Sequence, residues 1–286
     1  MKRLLLVLAV ASVEGACASR TPPADAEIAP EIIGGKVVAS MRGVVHLEDG
    51  CTAAKVAPRT LLTAAHCVVG LSTMDPKYDA THPVRLASTP AAGHVAHAVT
   101  KTTVHPAFQT KCAETLCSIA AVVAKVDAPD VALLELADDL PDVEVVPIDA
   151  TPLAVGGTVE LVGYGCTEGV HVADGRAVVT LATAESVVVA PATAVHEGSP
   201  IATADLPVVA GNYAFTAGAA GLCPGDSGGP LFVRRGDVLS VVGVNANYTL
   251  RPDEDDAAGI PVTSWHTRLD RESRNDVAGW LAARLP

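Results

Sequence analysis

The segment GLCPGDSGGP, residues 221–230, sets two polar side chains, Asp226 and Ser227, on a backbone rich in glycine and proline. Glycine permits positive φ and a close approach of the backbone to a ligand, so the segment predicts a turn that presents a group. Two interpretations are open from this segment alone. It is either the site of a serine nucleophile or an ordinary glycine-rich connection between strands.

Two further segments bear on that choice. LTAAHC at 62–67 ends in a histidine and a cysteine, and APDVALLEL at 128–136 places Asp130 at the start of an apolar run. Alone, such a histidine is usually structural and such an aspartate usually begins a strand. A serine hydroxyl, however, is a weak nucleophile unless an imidazole takes its proton, and that imidazole needs a carboxylate to orient it. His66, Asp130 and Ser227 supply these three groups.

Short Val-, Thr- and Leu-rich runs broken by Gly, Pro and Asp dominate the chain from Ile32 onward. Their length and β-branched residues predict strands of an antiparallel sandwich or barrel. The last segment has helical periodicity instead, with Val277, Trp280, Leu281 and Leu285 on one face. It predicts an amphipathic closing helix in an otherwise all-β chain.

From Ile32 onward the chain resembles the trypsin/chymotrypsin-like serine proteases. The resemblance rests on four motifs in the family's order, namely IIGG at 32–35, TAAHC at 63–67, DVALLEL at 130–136 and GDSGGP at 225–230. It implies two packed six-stranded antiparallel β-barrels with a C-terminal α-helix and an active site in the cleft between the barrels. It also implies a serine endopeptidase whose catalytic residues are His66, Asp130 and Ser227.

The resemblance assigns roles to the rest of the glycine-rich segment. The backbone N–H groups of Gly225 and Ser227 are expected to form the oxyanion hole. Asp226 is expected to turn inward and pair with the ammonium group that cleavage before Ile32 creates. That pair would order the oxyanion hole, so the resemblance implies a zymogen.

The amino-terminal 18 residues predict an export signal, with Lys2 and Arg3 ahead of an apolar run that is too short to span a bilayer. Ala16-Cys17-Ala18 fits a cleavage site that yields a secreted protein, and lipidation of Cys17 is the alternative. Residues 19–31 are rich in proline and lack apolar periodicity, which predicts a pro-segment ahead of a protease domain at 32–286. Since Glu31 precedes the expected cut, a glutamate-tolerant or self-processing step is predicted.

Six cysteines remain when Cys17 is set aside, an even number that predicts up to three disulfides in an exported chain. Their spacing does not predict a zinc cluster. The resemblance implies a Cys51–Cys67 bond across the histidine segment, and a local Cys112–Cys117 bond is the natural expectation. Cys166 and Cys223 would then pair, an uncommon arrangement in the family.

Substrate specificity is expected to depend on Gly221, Leu222, Ala246 and Tyr248, which the resemblance places around the primary pocket. An acid at the position of Gly221 would select Arg or Lys; glycine there disfavours that selection, since an unpaired buried cation is costly. Tyr248 would narrow the entrance. We therefore expect cleavage after small or medium apolar residues, with a chymotrypsin-like preference as the alternative if Tyr248 points outward.

The formal net charge of −12 argues against nucleic acid or an anionic membrane as a partner. The expected partners are protein or peptide substrates and an activating protease, with membrane association only through a lipidated Cys17. No cofactor is expected. The acids at 253–256 either bind a cation or form a solvated loop.

Two other functions compete with the protease. GDSGG also fits the nucleophile elbow of α/β-hydrolases, but that fold needs an acid and a histidine after the serine, on a parallel sheet with many helices. The other is a catalytically inactive binding protein on the protease fold, although His66, Asp130 and Ser227 are all present.

Overall fold

A computed structural model describes residues 32–70, 73–115, 128–165, 180–196, 199, 201–249 and 263–286, with the backbone alone at 112–115. The predicted signal and pro-segment lie outside these ranges, as do Cys117, Cys166 and the acids at 253–256. Among the described residues, no helix is both long and apolar enough to cross a membrane.

The first barrel follows β1 (Lys36–Val38), a short strand that belongs to the second barrel. Its strands are β2 (Val44–Leu47), β3 (Cys51–Ala57), β4 (Thr60–Thr63), β5 (Val84–Ala87), β6 (Val95–His97), β7 (Val99–Val104) and β8 (Ala132–Leu136). They pair antiparallel in the order β6-β5-β2-β3-β4-β8-β7. Only Ala98 separates β6 from β7, so the two behave as one bent strand that closes the barrel between β5 and β8.

The second barrel is built from β9 (Thr158–Gly163), β10 (Leu181–Val189), β11 (Tyr213–Ala217), β12 (Pro230–Arg235), β13 (Val238–Thr249) and β14 (Thr263–Arg268). The sheet order is β1-β10-β11-β14-β13-β12-β9, and an additional pairing of β10 with β9 closes it. β1 is an extra strand on the edge of β10. The predicted pair of six-stranded antiparallel barrels is therefore confirmed, with β1 added to the second.

The described part of the chain has four α-helices: α1 (Ala65–Val68), α2 (Pro106–Thr115), α3 (Leu206–Asn212) and α4 (Val277–Ala282). The predicted closing helix is α4, which is capped by Asp276, whose carboxylate accepts a hydrogen bond from Gly279 N. Val277, Trp280 and Leu281 are buried. The sequence did not predict α2 or α3, because α2 has no apolar stripe and α3 is a short, valine-containing segment that resembles a strand.

Residues 137–157 form a linker that runs from β8 to β9 and bonds to both barrels. Lys55 of β3 is 3% exposed, and its ammonium group donates to Asp139 Oδ1 at 2.7 Å, Leu140 O at 2.7 Å and Val143 O at 2.9 Å. Further along, the linker exchanges backbone hydrogen bonds with Val241 of β13. The linker is thus held by the first barrel at its start and by the second barrel a few residues later.

Candidate active site

His66 lies on α1, the single helical turn that follows β4, and its ring faces Asp130. His66 Nδ1 is 2.5 Å from Asp130 Oδ2, and the backbone N–H of His66 donates to Asp130 Oδ1 at 3.0 Å. The carboxylate therefore fixes both the orientation of the ring and the nitrogen that carries the proton, leaving Nε2 as the candidate base. Asp130 is 6% exposed, so this contact is sheltered from water.

The segment carrying Asp130 is attached to the second barrel by two hydroxyl groups. Thr267 Oγ1 donates to Asp130 O at 2.9 Å, and Tyr213 OH donates to Ala128 O at 2.7 Å. Burial, with the nearby charge of Asp130, raises the pKa of Tyr213 well above its ordinary value. The phenol therefore stays protonated and keeps its donor role. These bonds fix an aspartate of the first barrel against strands of the second.

Ser227 lies on the loop before β12 and meets the histidine segment through its backbone. Its carbonyl oxygen accepts a hydrogen bond from Thr52 N at 2.8 Å and lies 3.7 Å from Cys67 Sγ. Among the described residues, no hydrogen bond joins Ser227 Oγ to His66. Such bonds are often long in ligand-free enzymes and tighten when substrate binds. The structure thus brings the serine loop beside His66, with the acid–base contact already formed.

The backbone of the loop exposes two donors. Neither Gly225 N–H nor Ser227 N–H donates to another protein group within the described part of the chain. Gly225 has φ +104°, and a Cβ there would lie 2.6 Å from the Cα of Gly165. Only glycine fits this position without a shift. The two N–H groups are therefore available to an anionic oxygen.

Asp226 is fully buried and binds the backbone on two sides. Gly165 N donates to its Oδ1 at 2.9 Å and Cys223 N to its Oδ2 at 2.8 Å. A Cβ at Gly163 or Gly165 would lie within 2.5 Å of this carboxylate, so GYG at 163–165 leaves the space that it fills. Ile32 is also fully buried, in an apolar cluster with Leu161, Leu222 and Leu231.

The four predicted pocket residues lie on segments that meet. Gly221 exchanges backbone hydrogen bonds with Ile33, and the half-buried Tyr248 packs against the apolar cluster that includes Leu222. Ala246 is 8% exposed on the same strand as Tyr248. The ring of Tyr248 therefore points into the molecule. Burial, and then the charge of Asp226, raises its pKa.

Sequence reasoning missed Ser264, which belongs to the same group. β13 pairs with β14 so that Tyr248 lies opposite Ser264, and Leu222 N donates to Ser264 Oγ at 2.9 Å. The hydroxyl thus joins β14 to the segment that carries Leu222. No motif marks Ser264, since its place depends on strand register across 250–262. The pairing of β13 with β14 is the signal that finds it.

A buried polar network next to these residues was also missed. His266, two residues beyond Ser264 on the same face of β14, bonds through its two ring nitrogens to Asn245 Oδ1 and Thr216 Oγ1, both at 2.9 Å. Asn245 Nδ2 donates to Val162 O at 3.0 Å. Burial lowers the pKa of His266 to about 3, so its ring is neutral at pH 7.

The cysteines agree with the expected bridges where they are described. Cys51 and Cys67 form a disulfide across the histidine segment. Cys223 is also disulfide-bonded, and its predicted partner Cys166 follows Gly165, whose Cα lies beside Gly225. The pairing of Cys223 with Cys166 stays a prediction. The bond between Cys112 and Cys117 also stays a prediction, because neither side chain is among the described parts of the chain.

Among the described residues, one group of potential metal ligands is close enough to share an ion. It consists of Cys51, His66 and Cys67. Because its two sulfurs are joined in the disulfide, they are not thiolate donors. The group is therefore a histidine beside a disulfide, and it does not offer the set of ligands that a metal ion needs.

Comparisons with known proteins agree with this arrangement. The chain is similar in structure to a mutant of human heparin binding protein (CAP37), with a TM-score of 0.57 and 16% sequence identity, over 88% of this chain and 95% of that chain. At this identity the likeness shows the fold alone. No curated protein matches the sequence. The sequence model of the Trypsin family matches residues 32–264. Because that match spans most of the chain, including both barrels and the segments that carry His66, Asp130 and Ser227, the chain belongs to the trypsin family.

Proposed function

We propose that this protein is a secreted serine endopeptidase that cleaves peptide bonds through an acyl-enzyme on Ser227. The observation that carries the proposal is the contact of His66 Nδ1 with the buried carboxylate of Asp130, beside the loop that bears Ser227. A structural histidine would not need this partner next to a serine loop with two unused N–H donors. Membership in the trypsin family supports the same reaction class.

The reaction would have two halves, formation and hydrolysis of the acyl-enzyme, and the catalytic groups would act in both. His66 Nε2 takes the proton of Ser227 Oγ while the oxygen attacks the scissile carbonyl, and Asp130 stabilises the imidazolium that forms. The N–H groups of Gly225 and Ser227 bind the developing oxyanion. The imidazolium then gives its proton to the leaving amine. Water, activated by the same imidazole, hydrolyses the acyl-enzyme.

Labelling with a fluorophosphonate tests the proposal directly. We expect the protein cut before Ile32 to form one covalent adduct, mapped to Ser227 by peptide mass spectrometry, and to hydrolyse casein. The Ser227→Ala variant serves as the control and should show neither. An unlabelled, folded and correctly cut protein would favour the inactive binding protein instead.

Substrate preference is the finer part of the proposal. None of the four predicted pocket residues is charged, and Gly221 stands at the predicted floor, where an acid would select Arg or Lys. Tyr248 packs against the apolar cluster that includes Leu222, and Leu222 N donates to Ser264 Oγ, so we expect these groups to shorten the space available to a side chain. We therefore propose that cleavage follows small or medium apolar residues, which need neither a long pocket nor a buried counter-charge.

A panel of peptides that differ only in the residue before the cut tests this preference. We expect kcat/KM for Ala, Val and Leu to exceed that for Phe, and Tyr248→Gly to raise the value for Phe by about 10- to 100-fold, because space for a few methylene-sized groups is worth that much. Tyr248→Phe keeps the ring and should leave the order unchanged. Preferred cleavage after Phe by the parent protein would favour the chymotrypsin-like alternative, and cleavage after Arg or Lys would contradict both.

A further inference from the structure

We propose that the hydroxyl group of Thr52 is a positioning group for the oxyanion loop, defined here as residues 223–229. The proposal rests on the proposed function, since it concerns how the same site holds its two oxyanion donors. Thr52 lies on β3, directly after the bridged Cys51, and is fully buried. It belongs to the first barrel, whereas the loop leads into β12 of the second.

The side chain of Thr52 makes two hydrogen bonds that connect separate segments of the second barrel. Its Oγ1 donates to Gly225 O at 3.0 Å and accepts from Tyr164 N at 3.1 Å. Gly225 supplies one oxyanion donor, and Tyr164 precedes Gly165, which binds Asp226. One hydroxyl thus joins the oxyanion loop to the backbone segment that receives the activation carboxylate.

The bond to Gly225 O restrains the backbone between the two expected oxyanion donors, Gly225 N–H and Ser227 N–H. A glycine at φ +104° can rotate to other conformations at low cost, so the residue itself does not hold this one. The bond from Thr52 Oγ1 to Gly225 O restrains the peptide that joins Gly225 to Asp226, next to a Gly225 N–H that donates to no protein group among the described residues. Loss of the hydroxyl would remove a restraint at a residue whose own side chain does not limit its conformation.

The backbone of Thr52 makes contacts that a substitution would leave in place. Its N–H donates to Ser227 O at 2.8 Å, and its carbonyl oxygen accepts from Thr63 Oγ1 at 2.8 Å. These bonds hold the serine loop against the histidine segment whatever side chain stands at position 52. The backbone contacts of Thr52 and the positioning role of its hydroxyl can therefore be separated. Replacing the hydroxyl by a methyl group removes only the positioning role.

The test compares Thr52→Val with Thr52→Ser in the protein cut before Ile32. Valine keeps the shape without the hydroxyl, and we expect kcat to fall by about 10- to 100-fold with KM changed less than about twofold, because the lost interaction acts on the transition state. Thr52→Ser keeps the hydroxyl and should recover most of kcat. A peptide boronic acid, whose tetrahedral adduct uses the oxyanion donors, should bind Thr52→Val more weakly by a similar factor, whereas the matching product peptide should bind equally well.

Thr183→Val is the matched control, since it removes another buried threonine hydroxyl, one that donates to Glu160 Oε1 away from the loop. It should leave kcat unchanged. Thermal unfolding shows whether Thr52→Val is folded. If it is not, Thr52→Ala should show the same fall in kcat. Parent-like kcat in a folded Thr52→Val or Thr52→Ala, or failure of Thr52→Ser to recover activity, would overturn the inference. A parent protein that neither turns over peptide nor reacts with fluorophosphonate would instead overturn the proposed function.

Discussion

Replacement of Ser227 or His66 by alanine is expected to lower kcat by about 10⁶-fold, and replacement of Asp130 by about 10⁴-fold. The reason is that the three side chains act as a unit, in which His66 transfers the proton of Ser227 while Asp130 orients and stabilises the imidazolium. Once the nucleophile or the base is gone, the remaining groups have nothing to act on. Turnover of a peptide substrate by each purified, cut variant measures the effect, with KM expected to change little.

The losses should be strongly non-additive, so the triple variant should be no slower than Ser227→Ala. Ser240→Ala, which removes a buried serine hydroxyl from β13, is the control and should retain parent activity. Cleavage by Ser227→Ala at the parent rate would show that the nucleophile lies elsewhere.

Cutting after Glu31 is expected to raise kcat/KM by about 10²- to 10⁴-fold, the factor that corresponds to the roughly 3–5 kcal/mol lost when a buried ion pair lacks one of its partners. The physical reason is the new ammonium group of Ile32, the expected partner of the buried Asp226. A precursor with a designed cleavage site in place of 25–31, arranged to leave Ile32 first, allows the activity before and after the cut to be compared, with N-terminal sequencing of the product.

Asp226→Asn should remain slow after the same cut, because a neutral amide cannot balance the charge. Asp237→Asn removes an exposed acid between β12 and β13 and should be activated normally. Because the predicted pocket residues are uncharged, we also expect that the protein does not cut after its own Glu31. Activation of the natural precursor should therefore require another protease. Full activity with 25–31 still attached would contradict this account of activation.

The triad candidates could be read from the sequence because each lies in a short motif of unusual composition. His66 can be recognised because Cys67 follows it directly. Ser227 can be recognised because the glycines around it are required only in a special turn. Ser264 and His266 could not be read in this way. Their positions depend on the register of β14 against β13, and ordinary strand residues carry no local sign of that register. Thr52 was missed for the same reason, since its chemistry arises only from contacts distant in sequence.

The fold shows the same division between local and distant information. Runs of β-branched residues predicted the strands, and the apolar face of Val277, Trp280 and Leu281 predicted α4, because both signals are periodic and local. α2 and α3 lack a continuous apolar face. Contacts with the rest of the protein stabilise them, as at the buried Phe108 and Val209.

The linker at 137–157 has a mechanical consequence for the cleft. A hinge needs a stretch of backbone free to rotate, but Lys55 binds the start of this connection and Val241 binds it a few residues later. Thr267 and Tyr213 also bind the segment that carries Asp130, which precedes β8. The barrels are therefore joined both before and after this strand. We therefore expect the halves not to open and close around a substrate. A cleft of fixed width admits only polypeptide that is already extended, so tightly folded proteins should resist the proposed protease until a loop or terminus is exposed.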